Sequence, residues 1–413
     1  GSNDRSVQEI VNAINDMLGS YGTTILPHLT VNYRQGNDEA MAAFVNDLEA
    51  GRIGAVIFYG CNPVYDHPLG QKIAAGIAKA SLSVSTAIKE DETVAVSAFI
   101  APDHHYLESW GGAEPKRNHF SLVQPTITPI FSTRAAQESL LIWAGEAEVD
   151  YFEFVKNNWR RFYTGQALDY QNFWDKCLYD GVYELPVEAT SVSFRGNVAA
   201  AASAIVSNSK SGDKELVIYE SPAIGNGSQA NNPLLQELPD PITRAVWDHY
   251  VTISPKDAEG LTTPESKTRF ASITINGTNI KLPILIQPGQ PSGTIGIALG
   301  YGRTSAGKVA ARAGGVNMYP FVSMVNGSLS YGAANVKFEI LWDEHYQLAQ
   351  VQTQDTHMGR KTVIQETLLS DFKQDAAAGE YDPKVSSWRD PDHKVEPKDV
   401  SLWRPHEYKN HHW

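Results

Sequence analysis

The residues best suited to chemistry lie in one glycine-rich stretch between positions 299 and 320. Arg303, Lys308 and Arg312 bring positive charge into it, and glycines stand among them at positions 300, 302, 307, 314 and 315. Glycine is needed where the backbone takes a positive φ or approaches another group closely. We therefore predict a loop laid against another group, and the interleaved cations favour an anion there.

Part of this stretch can be tested against the phosphate loop of nucleotide-binding proteins. Positions 302–308 match most of that pattern, but Val309 stands where a Ser or Thr hydroxyl must reach Mg²⁺. Gly314 and Gly315 also interrupt the helix that such a loop should open. We prefer the interpretation that the stretch is a glycine-rich crossing inside a β-barrel.

A second candidate position follows the apolar run 53–59, where the sequence reads Gly60-Cys61-Asn62-Pro63. In open α/β sheets, ligands bind beyond the carboxyl ends of the strands. A tight turn between strand and helix, needing Gly60 and Pro63 for shape alone, explains the same residues. Both interpretations stay open.

Two polar clusters could serve acid–base chemistry or a metal. For the adjacent carboxylates at 90–92 we prefer a solvated helix N-terminus, because acidic side chains favour the positive end of a helix dipole. His104, His105 and Glu108 form the other cluster, but only His104 and Glu108 have a helical spacing of four. Two ligands do not make a transition-metal site, so we assign His105 and Glu108 to a polar network that holds a loop, or to a proton path.

Composition excludes several classes of function. The chain has 413 residues and a net charge of −13, which disfavours a nucleic-acid surface. No apolar run approaches the roughly 20 residues that span a bilayer. Two distant cysteines, Cys61 and Cys177, cannot form an iron–sulfur or four-cysteine zinc site within this chain; we expect both to be small buried residues. The sequence has no Gly-x-Ser-x-Gly pattern of a hydrolase nucleophile.

The first half of the chain has an α/β pattern that would position these residues. Ser6 and Glu9 form a capping box that begins a helix ending near Gly19. The run 53–59 predicts a parallel strand covered on both faces. Further helices are expected at about 39–50, 66–80, 134–143, 149–162 and 170–179, strands at 81–85 and 99–102, and an extended crossing over 117–129. Aromatic residues of the last two helices should form core or an interdomain seam, namely Phe152, Phe154, Trp159, Phe173 and Trp174.

The second half is rich in strand patterns. Between 191 and 213 the helical periodicity becomes uncertain, which marks a plausible boundary. Asn276-Gly277 between two apolar runs predicts a hairpin, and further strands are expected at 215–219, 294–299, 336–342 and 346–352. Short strands at this density indicate a closed barrel. After about position 354 the chain is polar and punctuated by prolines, as in an extended surface arm.

Several motifs together carry a resemblance to one family. In order, the chain resembles the molybdopterin-oxidoreductase-like iron–sulfur subunit of alternative complex III, a respiratory assembly that oxidises quinol. The motifs that carry it are Tyr59-Gly-Cys-Asn-Pro-Val-Tyr-Asp66, Glu90-Asp-Glu-Thr93, His105-Tyr-Leu-Glu-Ser-Trp-Gly111, Asn231-Asn-Pro-Leu-Leu-Gln-Glu-Leu-Pro-Asp-Pro241, Leu299-Gly-Tyr-Gly-Arg-Thr-x-Ala-Gly307 and Asn317-x-Tyr-Pro320.

The resemblance implies a fold class of α/β plus all-β. A partial molybdopterin-oxidoreductase-like α/β domain would cover 1–185, a double-psi β-barrel 186–353, and an extended arm or linker 354–413. The chain would then be an internal piece of a longer protein. A ferredoxin-like domain carrying iron–sulfur clusters would follow it, and its cysteines are absent here.

The resemblance also implies a function and a set of site residues. We expect a non-catalytic scaffold region that lacks a cofactor, a metal ligand and a catalytic residue of its own. It would lie on the periplasmic face of the cytoplasmic membrane, held by other subunits of a respiratory complex. The alternative is a portion of an active oxidoreductase that binds molybdopterin dinucleotide between the α/β and barrel domains, so whether it belongs to an enzyme stays open. The residues matching the cofactor side are Gly60, Asn62, Pro63, Tyr301, Gly302, Arg303, Thr304 and Asn317.

Overall fold

The computed structural model of the chain describes residues 3–33, 35–146, 149–165, 169–208, 213–261, 267–351 and 365–380. The chain divides into two units, residues 1–351 and 352–413. In the second unit the described residues contain one short helix, Leu369–Phe372. Positions 354–364 and 381–413 of the predicted arm lie outside the described residues. The predicted domain boundaries at 185/186 and 353/354 stay predictions.

A small parallel sheet and its helices begin the first unit. The strands lie in the order β1-β2-β3, and every pair is parallel. Their elements are α1 Arg5–Met17, α2 Asp38–Glu49, β1 Ala55–Phe58, α3 Pro63–Asp66, α4 Gly70–Ile77, β2 Leu82–Ser85 and β3 Phe99–Ile100, with a 3₁₀ turn at Val94–Val96. The single helix predicted over 66–80 is therefore two helices, α3 and α4, separated by positions 67–69.

Among the described residues, helices cover one face of this sheet. Val56 and Phe58 of β1 pack into a core with residues of α2 and α4. The register places Ile57 opposite Val84 and Val84 opposite Phe99 on the other face, where Ile57 is 43% and Phe99 61% exposed. The prediction of a strand covered on both faces is wrong for the described residues, because α2 and α4 both pack on the same side.

The N-terminus of α1 also differs from its prediction. Asp4 is the N-cap residue, and its Oδ1 accepts hydrogen bonds from the backbone N–H of Ser6 at 2.8 Å and of Val7 at 3.0 Å. The Glu9 carboxylate accepts a hydrogen bond from the backbone N–H of Asn197 instead of closing a capping box. A capping carboxylate two residues earlier therefore takes the role assigned to Ser6.

An aromatic layer follows in the chain. It is built from β4 Gly111–Lys116, β5 His119–Val123, α5 Ala136–Trp143, α6 Tyr151–Trp159, α7 Tyr170–Asp180 and β6 Val182–Glu184, with a 3₁₀ turn at Arg160–Phe162. The predicted crossing 117–129 begins as β5, which pairs antiparallel with β4 and β6. The predicted core is confirmed for its members Phe152, Trp159, Phe173 and Trp174, whereas Phe154 is 48% exposed.

The uncertain region 191–213 contains a helix, α8 Val198–Asn208, which packs against α1. Its run of alanines gives a high helix propensity with little hydrophobic periodicity. That composition explains why a search for a helical apolar stripe does not find it.

Six strands close into a barrel in the order β10-β8-β11-β7-β14-β9. Strands β10/β8 and β11/β7 pair parallel, and the other four pairs are antiparallel. The elements are β7 Lys214–Glu220, α9 Pro233–Gln236, β8 Val251–Ile253, β9 Thr268–Ile275, β10 Thr278–Ile286, β11 Thr294–Leu299, α10 Lys308–Ala313, β12 Ser323–Val325, β13 Ser328–Ser330 and β14 Gly332–Tyr346, with a 3₁₀ turn at Tyr319–Phe321. The closed barrel is confirmed; its double-psi connectivity stays a prediction.

The sequence predicted one hairpin of the barrel correctly and divided one long strand wrongly. Asn276 and Gly277 have φ values of 49° and 84° and join β9 to β10, as predicted. The strands predicted at 336–342 and 346–352 were wrong as two elements: β14 runs unbroken from Gly332 to Tyr346, and position 350 forms only an isolated bridge to Ala245. Within the described part of the chain, no helix is both long and apolar enough to cross a membrane.

Candidate functional site

Two loops from opposite parts of the first unit meet at the side chain of Glu92. One loop follows β1 and contains Asn62; the other follows β11 and contains Arg303. Glu92 itself stands just before the 3₁₀ turn Val94–Val96. The ends of two strands, Phe58 of β1 and Leu299 of β11, are 241 residues apart in sequence and are connected through one carboxylate.

Both oxygens of the Glu92 carboxylate accept several hydrogen bonds. Its Oε1 accepts from Arg303 Nε at 3.0 Å, from the backbone N–H of Thr304 at 2.8 Å and from that of Ser305 at 3.1 Å. Its Oε2 accepts from Arg303 Nη2 at 2.7 Å and from Asn62 Nδ2 at 2.8 Å. The guanidinium fork and two adjacent backbone N–H groups form a receptor for an oxyanion, and Glu92 fills it.

This ion pair is buried and carries a fixed charge. The side chain of Arg303 is 6% exposed and that of Glu92 is 7% exposed. Burial opposes ionisation of Glu92, but hydrogen bonds from Arg303 and Asn62 outweigh it and lower its pKa to about 2. Glu92 therefore cannot exchange a proton near neutral pH. The prediction of a solvated helix N-terminus is wrong for this residue.

The loop after β1 is held by the same cluster. Asn62 Oδ1 accepts hydrogen bonds from the backbone N–H of Thr93 at 3.0 Å and from its Oγ1 at 2.7 Å. Pro63 is buried in the first turn of α3, and Gly60 has a φ of 60°. Turn geometry accounts for Gly60 and Pro63, whereas the side chain of Asn62 ties the loop to the segment that carries Glu92.

The loop after β11 is fixed by close packing. Gly302 has a φ of 68°, and a Cβ there would stand 2.1 Å from the backbone nitrogen of Asn317. Asn317 Nδ2 donates to the carbonyl of Tyr65 at 3.2 Å. The carbonyl of Tyr301 accepts a hydrogen bond from the Tyr65 hydroxyl at 2.7 Å. Only glycine combines this backbone conformation with this approach.

Tyr65 is the residue of α3 that enters the barrel core. It is 3% exposed and belongs to the same apolar cluster as the barrel strands. Its ring lies 4.4 Å from the Arg303 guanidinium carbon and 5.5 Å from the ring of Tyr319 in an edge-to-face contact. Burial raises the pKa of its hydroxyl. The α/β part and the barrel therefore share packing as well as an ion pair.

A buried histidine supports the other side of Tyr301. His249 stacks on the Tyr301 ring with centroids 4.4 Å apart and planes 8° apart. Its Nε2 donates to the carbonyl of Ala298 at 2.9 Å, and its Nδ1 accepts from the backbone N–H of Val316 at 3.1 Å. Burial lowers its pKa to about 4. His249 is therefore neutral at pH 7 and has a structural role.

The polar loop 231–240 lies beside the glycine-rich stretch. Asn231 Oδ1 accepts hydrogen bonds from the backbone N–H groups of Val309 at 3.0 Å and Ala310 at 3.3 Å. It thereby caps α10, the short helix that the phosphate-loop comparison questioned. Asn232 caps α9 through the N–H groups of Leu234 and Leu235.

The Glu92–Arg303 pair stands between two clefts. One cleft of about 380 Å³ is lined by Asn62, Arg303 and several carboxylates, among them Asp66 and Asp91. Burial raises the pKa of Asp66 to about 7. The other cleft, of about 960 Å³, is lined by Glu92, Thr304, the first residues of α4 and apolar residues of the β9–β10 hairpin.

The histidine cluster serves its own loop. The two oxygens of Glu108 accept from the backbone N–H of His105 at 2.9 Å and of Ile130 at 3.1 Å. His104 Nδ1 is 2.7 Å from Thr133 Oγ1. The loop-holding network predicted for Glu108 is confirmed. Among the residues that the structure describes, no three potential ligands group closely enough to hold a metal ion.

The structure therefore brings the predicted site residues together, but they bond chiefly to residues outside that set, namely Glu92, Thr93, Tyr65 and Gly227. Glu92, Tyr65 and His249 were missed as site residues. Glu92 and Tyr65 fall inside motifs quoted above, whereas His249 had no such signal. Cys177 is buried and Cys61 is exposed, so the expectation of burial is wrong for Cys61; both are free thiols.

Comparison with known proteins adds little to this description of the site. No protein-family model and no curated protein matches the chain. Among solved structures, the chain is similar to acetylene hydratase from Pelobacter acetylenicus, with a TM-score of 0.47 and 14% sequence identity. The match covers 74% of this chain and 46% of that one, so the chain spans less than half of that enzyme. A likeness this weak identifies neither a family nor an activity.

Proposed function

We propose that this chain is a non-catalytic scaffold region of a subunit in a respiratory, quinol-oxidising electron-transfer complex. Its ancestry would be that of the molybdopterin oxidoreductases, with the closed barrel having double-psi connectivity. The proposal is supported by the ordered motifs and by the joining of an α/β part to a six-stranded barrel. The single observation that best supports the proposed lack of a cofactor is that the Glu92 carboxylate occupies the oxyanion receptor formed by the Arg303 loop.

The residues present do not fit a molybdopterin dinucleotide. Its pyrophosphate needs cationic and N–H donors, and those of Arg303, Thr304 and Ser305 already bond to Glu92. The adjoining cleft also holds Lys89, but it is lined by the acidic side chains Asp66, Glu90, Asp91 and Asp103, and those that are ionised would repel a phosphate. The shell of such an enzyme would thus be kept while its anion position is filled by the chain itself.

A filled receptor has a mechanical role in this proposal. The buried ion pair and the insertion of Tyr65 into the barrel core hold the α/β part against the barrel. Separating the two parts would break this ion pair with its hydrogen bonds and remove Tyr65 from the barrel core, so both contacts link the parts. A rigid shell would carry an iron–sulfur domain located in further sequence and present surfaces to partner subunits at the periplasmic face of the membrane.

Elemental analysis of the longest natural form, purified with its partner subunits, tests this function. We expect iron from the cluster domain but neither molybdenum nor tungsten, and no pterin fluorescence after oxidative release. An active molybdenum enzyme purified from the same cells is the control for cofactor supply. Stoichiometric molybdenum or tungsten accompanied by pterin would refute the scaffold function and establish the alternative, an active pterin-dependent oxidoreductase.

A further inference from the structure

We propose that residues 303–305 form an oxyanion-binding subsite that accepts a small external carboxylate or phosphate once the Glu92 side chain is removed. The proposal deepens the scaffold function and rests on it in treating Glu92 as the permanent occupant. Its ligand class follows from the donors: a planar guanidinium fork and two adjacent backbone N–H groups suit an anion with two or more oxygens.

The donors are held by contacts that do not involve Glu92. Arg303 Nη1 donates to the carbonyl of Gly227, and the guanidinium lies over the ring of Tyr65. The backbone N–H of Gly302 donates to the carbonyl of Gly314 at 2.8 Å. Because these contacts remain when residue 92 is shortened, the receptor keeps its shape and only its occupant is lost.

The part of the Glu92 side chain that is removed sets the size of the ion that can replace it. The substitution Glu92→Ala removes one methylene and the carboxylate, which together have nearly the composition of an acetate ion. Clefts of about 380 and 960 Å³ lie on either side of the pair, so an ion can reach the position from solvent. Arg303 is 6% exposed, and its unpaired charge in that surrounding favours binding strongly.

The test is chemical rescue of the full chain. Urea unfolding of wild type, Glu92→Ala and Glu92→Gln is compared in sodium acetate, formate and phosphate against sodium chloride of equal ionic strength. We expect acetate to stabilise Glu92→Ala saturably, raising the folding equilibrium constant about 11-fold at about ten times its dissociation constant. Glu92→Gln loses the charge but keeps the receptor filled, so it and the wild type should not respond beyond the general salt effect.

A double variant, Glu92→Ala with Arg303→Met, removes the guanidinium and should abolish the acetate response. If Glu92→Ala does not stay folded in chloride, recovery of folded protein on refolding in acetate supports the subsite. Equal behaviour of Glu92→Ala in acetate, phosphate and chloride, including failure to refold in all three, overturns it. A response to phosphate alone retains the subsite and assigns it to tetrahedral anions. The metal and pterin analysis of the wild type fails or succeeds independently of these results.

Discussion

Replacement of Glu92 by glutamine examines the ion pair without changing the shape of the side chain. The pKa of Glu92 is lowered from 4.5 to about 2. At about 1.4 kcal/mol per pKa unit, ionised Glu92 stabilises the folded state by about 3 kcal/mol at pH 7. This agrees with the roughly 3–5 kcal/mol lost when one partner of a buried pair is removed. Because the side chain is 7% exposed, solvent screening reduces the value little.

The pH dependence of this effect has a definite sign. A carboxyl group whose pKa is lower in the folded state stabilises the protein above its unfolded pKa, here 4.5. That stability is lost as the pH falls from 4.5 towards 2, whereas glutamine does not titrate. The difference in unfolding free energy between wild type and Glu92→Gln should therefore be constant above about pH 5 and shrink below it.

Urea unfolding of the wild type and of Glu92→Gln over a pH series measures the difference in their unfolding free energies. Groups that titrate equally in the two proteins do not contribute to this difference. The matched control is Glu90→Gln, an exposed carboxylate in the same segment, whose effect should stay within about 0.5 kcal/mol. A loss below about 1 kcal/mol at pH 7, as for an exposed ion pair, would refute the reasoning. So would a loss that stays unchanged as the pH falls from 6 to 3.

Three further perturbations address the supports of this site. Gly302→Ala should destabilise the fold by about 3 kcal/mol or more in urea unfolding, because a Cβ would stand 2.1 Å from the Asn317 nitrogen. The control Gly277→Ala has open space around its Cβ and should lose only the roughly 1–2 kcal/mol that a left-handed backbone costs. The pKa of His249 is lower in the folded than in the unfolded chain, so the free energy of unfolding should fall by about 3 kcal/mol as the pH falls from 6.5 to about 4. His249→Gln should reduce this dependence of the unfolding free energy on pH. Asn231→Ala should cost about 1 kcal/mol by uncapping α10 and Asn231→Asp much less, and equal losses would contradict the capping role.

Local signals in the sequence were sufficient for much of the fold. The Asn276-Gly277 turn needs positive φ at both positions, and this requirement is visible in two adjacent letters. The strand at Thr294–Leu299 and the helix that ends before Gly181 are likewise encoded by neighbours in sequence. Such elements depend on interactions within a few residues, which a linear pattern records.

The state of Glu92 could not be predicted in the same way. Three adjacent carboxylates usually lie in water, and nothing near position 92 shows that an arginine at position 303 will cover one of them. The partner is 211 residues away in sequence, so no local pattern records the contact. The exposed face at Ile57 has the same origin, since an apolar strand pattern does not record whether a helix packs on it.

That separation of 211 residues also has a consequence for how the protein is made. At roughly 5–20 residues per second, a ribosome takes on the order of 10–40 s to extend from Glu92 to Arg303. During that interval the nascent α/β part holds a charged side chain that still has its hydration shell. Its final docking must therefore await the emergence of β11 and the loop behind it. The nascent N-terminal part must persist for that time without the Glu92–Arg303 ion pair. During it, chaperones and proteases can reach the surfaces that later contact the barrel.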